Sequence, residues 1–180
     1  HTPKLSDNLK GHYEDIDAIN INNKILNSDS KLDADQNWKY GKFCRENISI
    51  SILDEIKKFT NKFTKNKSWA LKDPRQVLTF PYWYKVIKNL KFIVTIRNPI
   101  SVAQSLRKRD DLCESEGINL WVKYYKVLIE ILECYPIDYM YIDYDKIYDN
   151  EKQIDHEISS FIELPSKEIK SNFNDNLNHN

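Results

Sequence analysis

Cations stand at two turns of this chain in patterns that suit an anionic ligand. The first turn is Lys72-Asp73-Pro74-Arg75. The second is Arg97-Asn98-Pro99, with Ser105 further along the same stretch. Arginine offers a planar fork of donors that matches phosphate oxygens in pairs. A helix beginning after Arg97 would bring up the Ser105 hydroxyl two turns in, and its N-terminus adds a modest favourable field for an anion. Lys72 is a compact charge, suited to offsetting negative charge on a transferring group or a leaving oxygen. Each residue also has a plain structural role open to it. Arg97 can pair with a surface carboxylate while Ser105 packs, Lys72 can extend to water, and Arg75 can pair with Asp73 or serve as ordinary helix charge.

The surrounding pattern states what must position these turns. Lys91-Phe92-Ile93-Val94-Thr95-Ile96 is β-branched and nearly continuous, as in a parallel strand covered on both faces. Ser68 to Lys72 is short and mostly apolar and fits another buried strand, and Asp138 to Asp143 a third. Asp73-Pro74 supplies an N-cap and a first helical residue. That helix is expected to run to about Lys88 with a bend at Pro81. Asn98-Pro99 starts another, through about Arg109. Residues 114–135 read as a longer helix with Trp121, Tyr124, Leu128, Ile131 and Tyr135 on one side. Upstream, a helix from Glu14 carries Ile16, Ile19 and Leu26 on one face, and 27–47 reads as loop. The series Ile48, Ile52, Ile56, Phe59, Phe63 is a helical stripe. Short helices near 151–162 and 166–173 close the chain. Such alternation predicts an α/β fold with a parallel sheet, whose ligands sit at the carboxyl ends of strands. Lys72 and Arg97 fall at two such ends.

Composition removes several function classes. The 180 residues include only three glycines, Gly11, Gly41 and Gly117, so neither G-x-x-x-x-G-K-[ST] nor G-x-G-x-x-G is present. Lys plus Arg and Asp plus Glu are both 27, and a zero net charge with mixed signs argues against a nonspecific nucleic-acid binder. Cys44, Cys113 and Cys134 are too scattered for a disulfide framework or a zinc site and read as reduced, mostly buried thiols. Asn47-Ile48-Ser49 is a chance glycosylation match. No run approaches the roughly 20 apolar residues of a membrane span, and no leader is visible. The expected location is cytoplasmic. The one methionine is the internal Met140 and the chain opens on His1, which favours an N-terminal truncation.

The stretch from Trp69 to Arg109, W-A-L-K-D-P-R-Q-V-L-T-F-P-Y-W-Y-K-V-I-K-N-L-K-F-I-V-T-I-R-N-P-I-S-V-A-Q-S-L-R-K-R, resembles the middle of the PAPS-dependent sulfotransferases. It is most similar to bacterial sulfotransferase-like proteins and to tyrosylprotein sulfotransferases. Lys10 to Asp15 resembles the family's G-[YF]-x-E-D segment, Trp121 to Tyr125 its W-x-x-Y helix, and Tyr141 to Asp145 its strand ending Y-E-D. Phe161 to Leu164 and Phe173 to His179 resemble the close of its chain. The resemblance implies a single domain over 1–180 with a three-layer parallel sheet of the P-loop nucleotide-hydrolase-like type. The family's P-[KR]-S-G-T-[ST] loop is not found before Lys10, so either that loop belongs upstream of His1, as the missing start methionine favours, or the chain is a domain that does not bind the donor well. The 180 residues alone are then not expected to be a competent catalyst.

The resemblance also carries roles. Arg97 and Ser105 take those of the residues binding the 3′-phosphate of the donor, 3′-phosphoadenylyl sulfate, and Tyr144 lies near its adenine. Lys72 resembles the lysine that stabilises the transferring sulfuryl group. Glu14 takes the place of a proton-accepting base, with Asp15, His12 and Asp73 as rivals and a first-turn helix acid as the plain alternative. Arg107 and Arg109 extend a basic rim or are solvated helix charges. The implied reaction moves a sulfuryl group to a hydroxyl or amine of a sugar, lipid, peptide or small molecule without a metal, by positioning and electrostatics. Loops 27–47 and 110–118 would face the acceptor. Two other functions remain open on the residues: an inactive sulfotransferase-fold binding module, and a P-loop-type kinase, which would need a Walker-type lysine and a magnesium-holding acid.

Overall fold

A computed structural model describes residues 14–27, 36–43, 48–65 and 68–164. His12, Cys44, Asn47, the helix expected at 166–173 and the chain-closing motif from Phe173 lie outside the described residues. The fold is α/β, mostly helical, with one two-stranded parallel sheet. The chain divides into two compact units, one of His1–Asn89 with Tyr124–Ile131 and one of Leu90–Lys123 with Leu132–Asn180.

The first unit is built on helices α1 (Ile16–Asn27), α2 (Asn37–Tyr40), α3 (Ile50–Asn61) and α4 (Gln76–Val86). The α3 stripe lies where its period puts it: Ile52, Ile56 and Phe59 are buried, with Ile48 and Phe63 packed beside them. They meet Ala18, Ile21 and Ile25 of α1 and Tyr82 and Trp83 of α4. Phe59 sets its edge against the Trp83 ring at 5.7 Å. On α1 the phase differs from the expectation. The buried residues are Ala18, Ile21, Asn22, Ile25 and Leu26, while Ile16 is exposed. A buried asparagine on that face hides the true stripe from an apolar-only reading.

Three further expectations are corrected here. Ser68 to Lys72 is not a strand. Its apolar side chains serve helix packing: Trp69 stacks on Phe63 at 5.0 Å, and Trp69 and Leu71 pack against the helical core. The helix after Asp73-Pro74 begins at Gln76, because Pro74 and Arg75 form a turn in which the Gln76 N–H donates to the Asp73 carbonyl, and it continues through Pro81. Within 27–47, Asn37–Tyr40 is helical.

In the second unit, β1 (Lys91–Ile96) and β2 (Asp138–Asp143) pair in parallel with Val94 opposite Tyr141 and Thr95 opposite Ile142. Val94 and Ile142 are buried, but Ile93, Tyr139 and Tyr141 are exposed, so the strands are not covered on both faces. Helix α5 (Pro99–Asp110) follows β1 directly. Helix α6 (Glu114–Cys134) begins in this unit, where Gly117 meets Ala103 of α5 so closely that a Cβ at 117 would lie 2.8 Å from the Ala103 Cα. Helix α7 (Glu151–Phe161) ends at Lys91, whose Nζ donates to the Phe161 carbonyl at 2.7 Å. Cys113 and Cys134 are free and exposed, against the expectation of buried thiols. Among the described residues no helix is long and apolar enough to cross a membrane.

Candidate functional site

In the first unit, charge gathers where α1 and α4 begin. The Asp15 carboxylate accepts from the backbone N–H groups of Asp17 and Ala18 at 2.9 and 3.2 Å. That capping commits Asp15 to the helix and leaves Glu14 just outside it, so Glu14 is not a first-turn helix acid. Glu14 is buried and accepts from Lys72 Nζ at 2.9 Å through Oε1, while its Oε2 faces Arg75 Nη1 at 3.5 Å. The two residues given catalytic roles therefore touch across 58 positions of sequence.

Behind this pair is a fully buried carboxylate. The Asp73 side chain is 0% exposed, and its Oδ1 accepts from Arg75 Nη1 and from the Arg75 backbone N–H, both at 2.9 Å. Its Oδ2 accepts from Asn22 Nδ2 at 2.8 Å. Asn22 Oδ1 in turn accepts from Thr79 Oγ1 at 2.8 Å and Trp83 Nε1 at 2.7 Å. A buried charge is tolerated only when paired and hydrogen-bonded, and Asp73 has both oxygens occupied. That commitment makes it a structural residue rather than a proton acceptor. Lys72, Arg75, Glu14 and Asp73 carry two formal charges of each sign. The Lys72 side chain is 59% exposed, against 14% for Arg75 and 11% for Glu14, so Lys72 is the member able to exchange its partner. Tyr124 belongs to this unit too. Its hydroxyl donates to the Trp38 carbonyl at 2.6 Å, and burial, then the nearby Asp73 charge, push its phenol well above the ordinary range against a smaller opposing effect of Arg75.

In the second unit a separate group of the residues singled out by sequence lies at the end of β1. Asn98 caps α5, its side chain accepting from the N–H groups of Ile100 and Ser101 at 2.9 and 3.4 Å. The Asn98 N–H donates to Asp145 at 2.8 Å, and Trp121 Nε1 donates to the Arg97 carbonyl at 3.1 Å. The turn is thus held by the β2 exit and by α6. The Arg97 guanidinium lies 5.0 Å from the centre of the Tyr144 ring. Arg97 Nε is buried without a hydrogen-bond partner and stands 3.9 Å from Asp145. Ser105 is half-buried on α5. Arg107 is exposed on the same helix, and Arg109 pairs with Asp110 at 2.7 Å.

The structure thus joins Glu14 to Lys72 in one unit and Arg97 to Tyr144 in the other. The motif reading missed Asn22, and it included Asp145 in the Tyr141 to Asp145 segment without giving it a role. Asn22 left one signal, a polar residue at core-facing helical spacing from Ala18 and Ile25. Among the described residues no cluster of histidine, cysteine or carboxylate side chains is placed to hold a metal ion. No protein-family model matches this chain, and no curated protein or solved structure matches it.

Proposed function

We propose that the full-length protein is a sulfotransferase that moves a sulfuryl group from 3′-phosphoadenylyl sulfate to a hydroxyl or amine acceptor, on a parallel sheet of the P-loop nucleotide-hydrolase type. The observation that carries this reading is the end of β1. There a guanidinium rests on an aromatic ring beside a capped helix N-terminus, with a buried Nε that has no hydrogen-bond partner and faces the Asp145 carboxylate at 3.9 Å. An arginine fork suits a phosphate, which would compete with Asp145 for the guanidinium. The Arg97 guanidinium and the α5 N-terminus support a phosphate in this reading.

In this reading Arg97 and Ser105 hold the 3′-phosphate, and Tyr144 adds an aromatic face for adenine. The donor supplies an activated S–O bond. Lys72 leaves Glu14 and offsets negative charge on the sulfuryl oxygens. Glu14 accepts the acceptor's proton as the new bond to sulfur forms and the bond to the departing phosphate oxygen breaks. Residues within 27–47 and 110–118 would set the acceptor, a sugar, lipid, peptide or small molecule.

A thermal-shift comparison tests the ligand class. Adenosine 3′,5′-bisphosphate is expected to raise the melting temperature of the full-length protein where ATP and GTP at equal concentration do not. Equal shifts with all three would overturn the donor assignment.

A further inference from the structure

Asn22 is the point at which α1, α4 and the turn before α4 are tied together. Its amide donates to Asp73 in the turn at 2.8 Å and accepts from Thr79 and Trp83 of α4 at 2.8 and 2.7 Å. Glu14 lies two residues before the start of α1, and Lys72 immediately precedes Asp73. We infer that Asn22 is a positioning residue: it fixes the register between Glu14 and Lys72, and so the geometry of the pair on which the proposed sulfuryl transfer rests.

The chemistry of the position calls for an amide. One atom must accept two hydrogen bonds and its neighbour must donate one to a buried carboxylate. Asparagine does both on a short stem. Aspartate there would set a second carboxylate against Asp73. Leucine has the volume but leaves the Asp73 Oδ2, the Thr79 hydroxyl and the Trp83 indole N–H without this partner. In either case the turn carrying Lys72 loses its side-chain tether to α1, and Lys72 and Glu14 no longer hold a fixed separation.

The test reads that separation directly. Competitive acylation of lysines, quantified by mass spectrometry, measures how strongly Glu14 competes with the reagent for the Lys72 amine. In the otherwise unchanged chain, Glu14→Gln is expected to raise the Lys72 labelling rate about threefold, the size of a partly exposed ion pair. Exposed Lys57 would serve as the internal reference. In the Asn22→Leu background the same Glu14→Gln change is expected to alter the rate by less than about 1.3-fold, because the pair is already lost. A threefold ratio preserved in Asn22→Leu would overturn the inference. Should Asn22→Leu fail to fold, Thr79→Val decides: it removes one of the two bonds to Asn22 Oδ1 and is expected to bring the ratio to about twofold, whereas an unchanged ratio overturns the inference. Turnover forms a separate arm. In the full-length protein, the variant that folds is expected to lose about tenfold in kcat with donor affinity kept, as misplacement of reacting groups does. If the unmutated protein does not turn over 3′-phosphoadenylyl sulfate, the sulfotransferase reading falls while the labelling ratio still decides the role of Asn22.

Discussion

Arg75→Met is expected to be the most damaging single change to the buried charge cluster. It keeps an unbranched apolar stem and removes the guanidinium. Asp73 then stays fully buried and loses the partner 2.9 Å from its Oδ1. Removing one member of a buried ion pair typically costs about 3–5 kcal/mol, because the other charge is left uncompensated. Here Asp73 keeps two donors, the Arg75 backbone N–H and Asn22 Nδ2, which places the cost near the lower end, about 3 kcal/mol. For a chain of this size that is a fall of about 6–12 °C in melting temperature. The assay is urea unfolding followed by circular dichroism and tryptophan fluorescence, since Trp83 reports from inside the network. Adding Asp73→Asn to Arg75→Met removes the stranded charge and is expected to recover about 1–2 kcal/mol. A loss below about 1 kcal/mol in the single variant, or no recovery in the double, would refute the view that Asp73 is held as a buried anion chiefly by Arg75.

Other perturbations follow from the same geometry. The Lys24–Glu55 pair joins α1 to α3 at 2.7 Å with side chains 57% and 37% exposed, so Lys24→Ala is expected to change stability by no more than about 0.5 kcal/mol in the same urea assay. Gly117→Ala forces a Cβ to within 2.9 Å of the Ala103 Cβ and is expected to destabilise by about 1–3 kcal/mol, with Ala103→Gly restoring part of the loss. Tyr124→Phe removes the bond to the Trp38 carbonyl, at a cost of about 1 kcal/mol at neutral pH. Because folding raises the Tyr124 phenol above its value of 10.0, its contribution is full below pH 10 and falls as pH rises beyond. At pH 11 the wild type should therefore have lost on the order of 1 kcal/mol more than Tyr124→Phe, as read from paired denaturation curves. Lys72→Ala is expected to lower turnover more than donor affinity. Equal losses in both would make Lys72 a binding residue.

Local signals made much of the fold readable, and the failures have physical causes. The α3 stripe repeats at helical spacing and buries as that period requires. The run Lys91–Ile96 is β-branched, and Asn98-Pro99 marks the start of α5 within the turn itself. The apolar run at Ser68 to Lys72 carries no information on whether its side chains will line a ladder or pack on helices, and tertiary packing decided for the helices. Exposed Ile93, Tyr139 and Tyr141 show that a continuous apolar strand does not guarantee cover on both faces. The α1 phase was hidden by Asn22, a polar residue buried because three partners satisfy it.

For the site, residue types at the two turns were legible, and their partners were not. The contact of Glu14 with Lys72 spans 58 positions, and nothing in either short segment announces the other. Arg97 and Tyr144 lie on turns after β1 and β2, and the parallel register brings those strand ends side by side. That register is set by whole strands rather than by the motifs themselves.

The central claim rests on Arg97, and isothermal titration of the full-length protein with adenosine 3′,5′-bisphosphate tests it most directly. The wild type is expected to bind, and Arg97→Ala at least about tenfold more weakly, as loss of a bidentate charged contact requires. Adenosine 5′-monophosphate, which lacks the 3′-phosphate, should bind weakly and equally to both. Undiminished affinity of Arg97→Ala for the bisphosphate would contradict the assignment of the β1 end as the 3′-phosphate site.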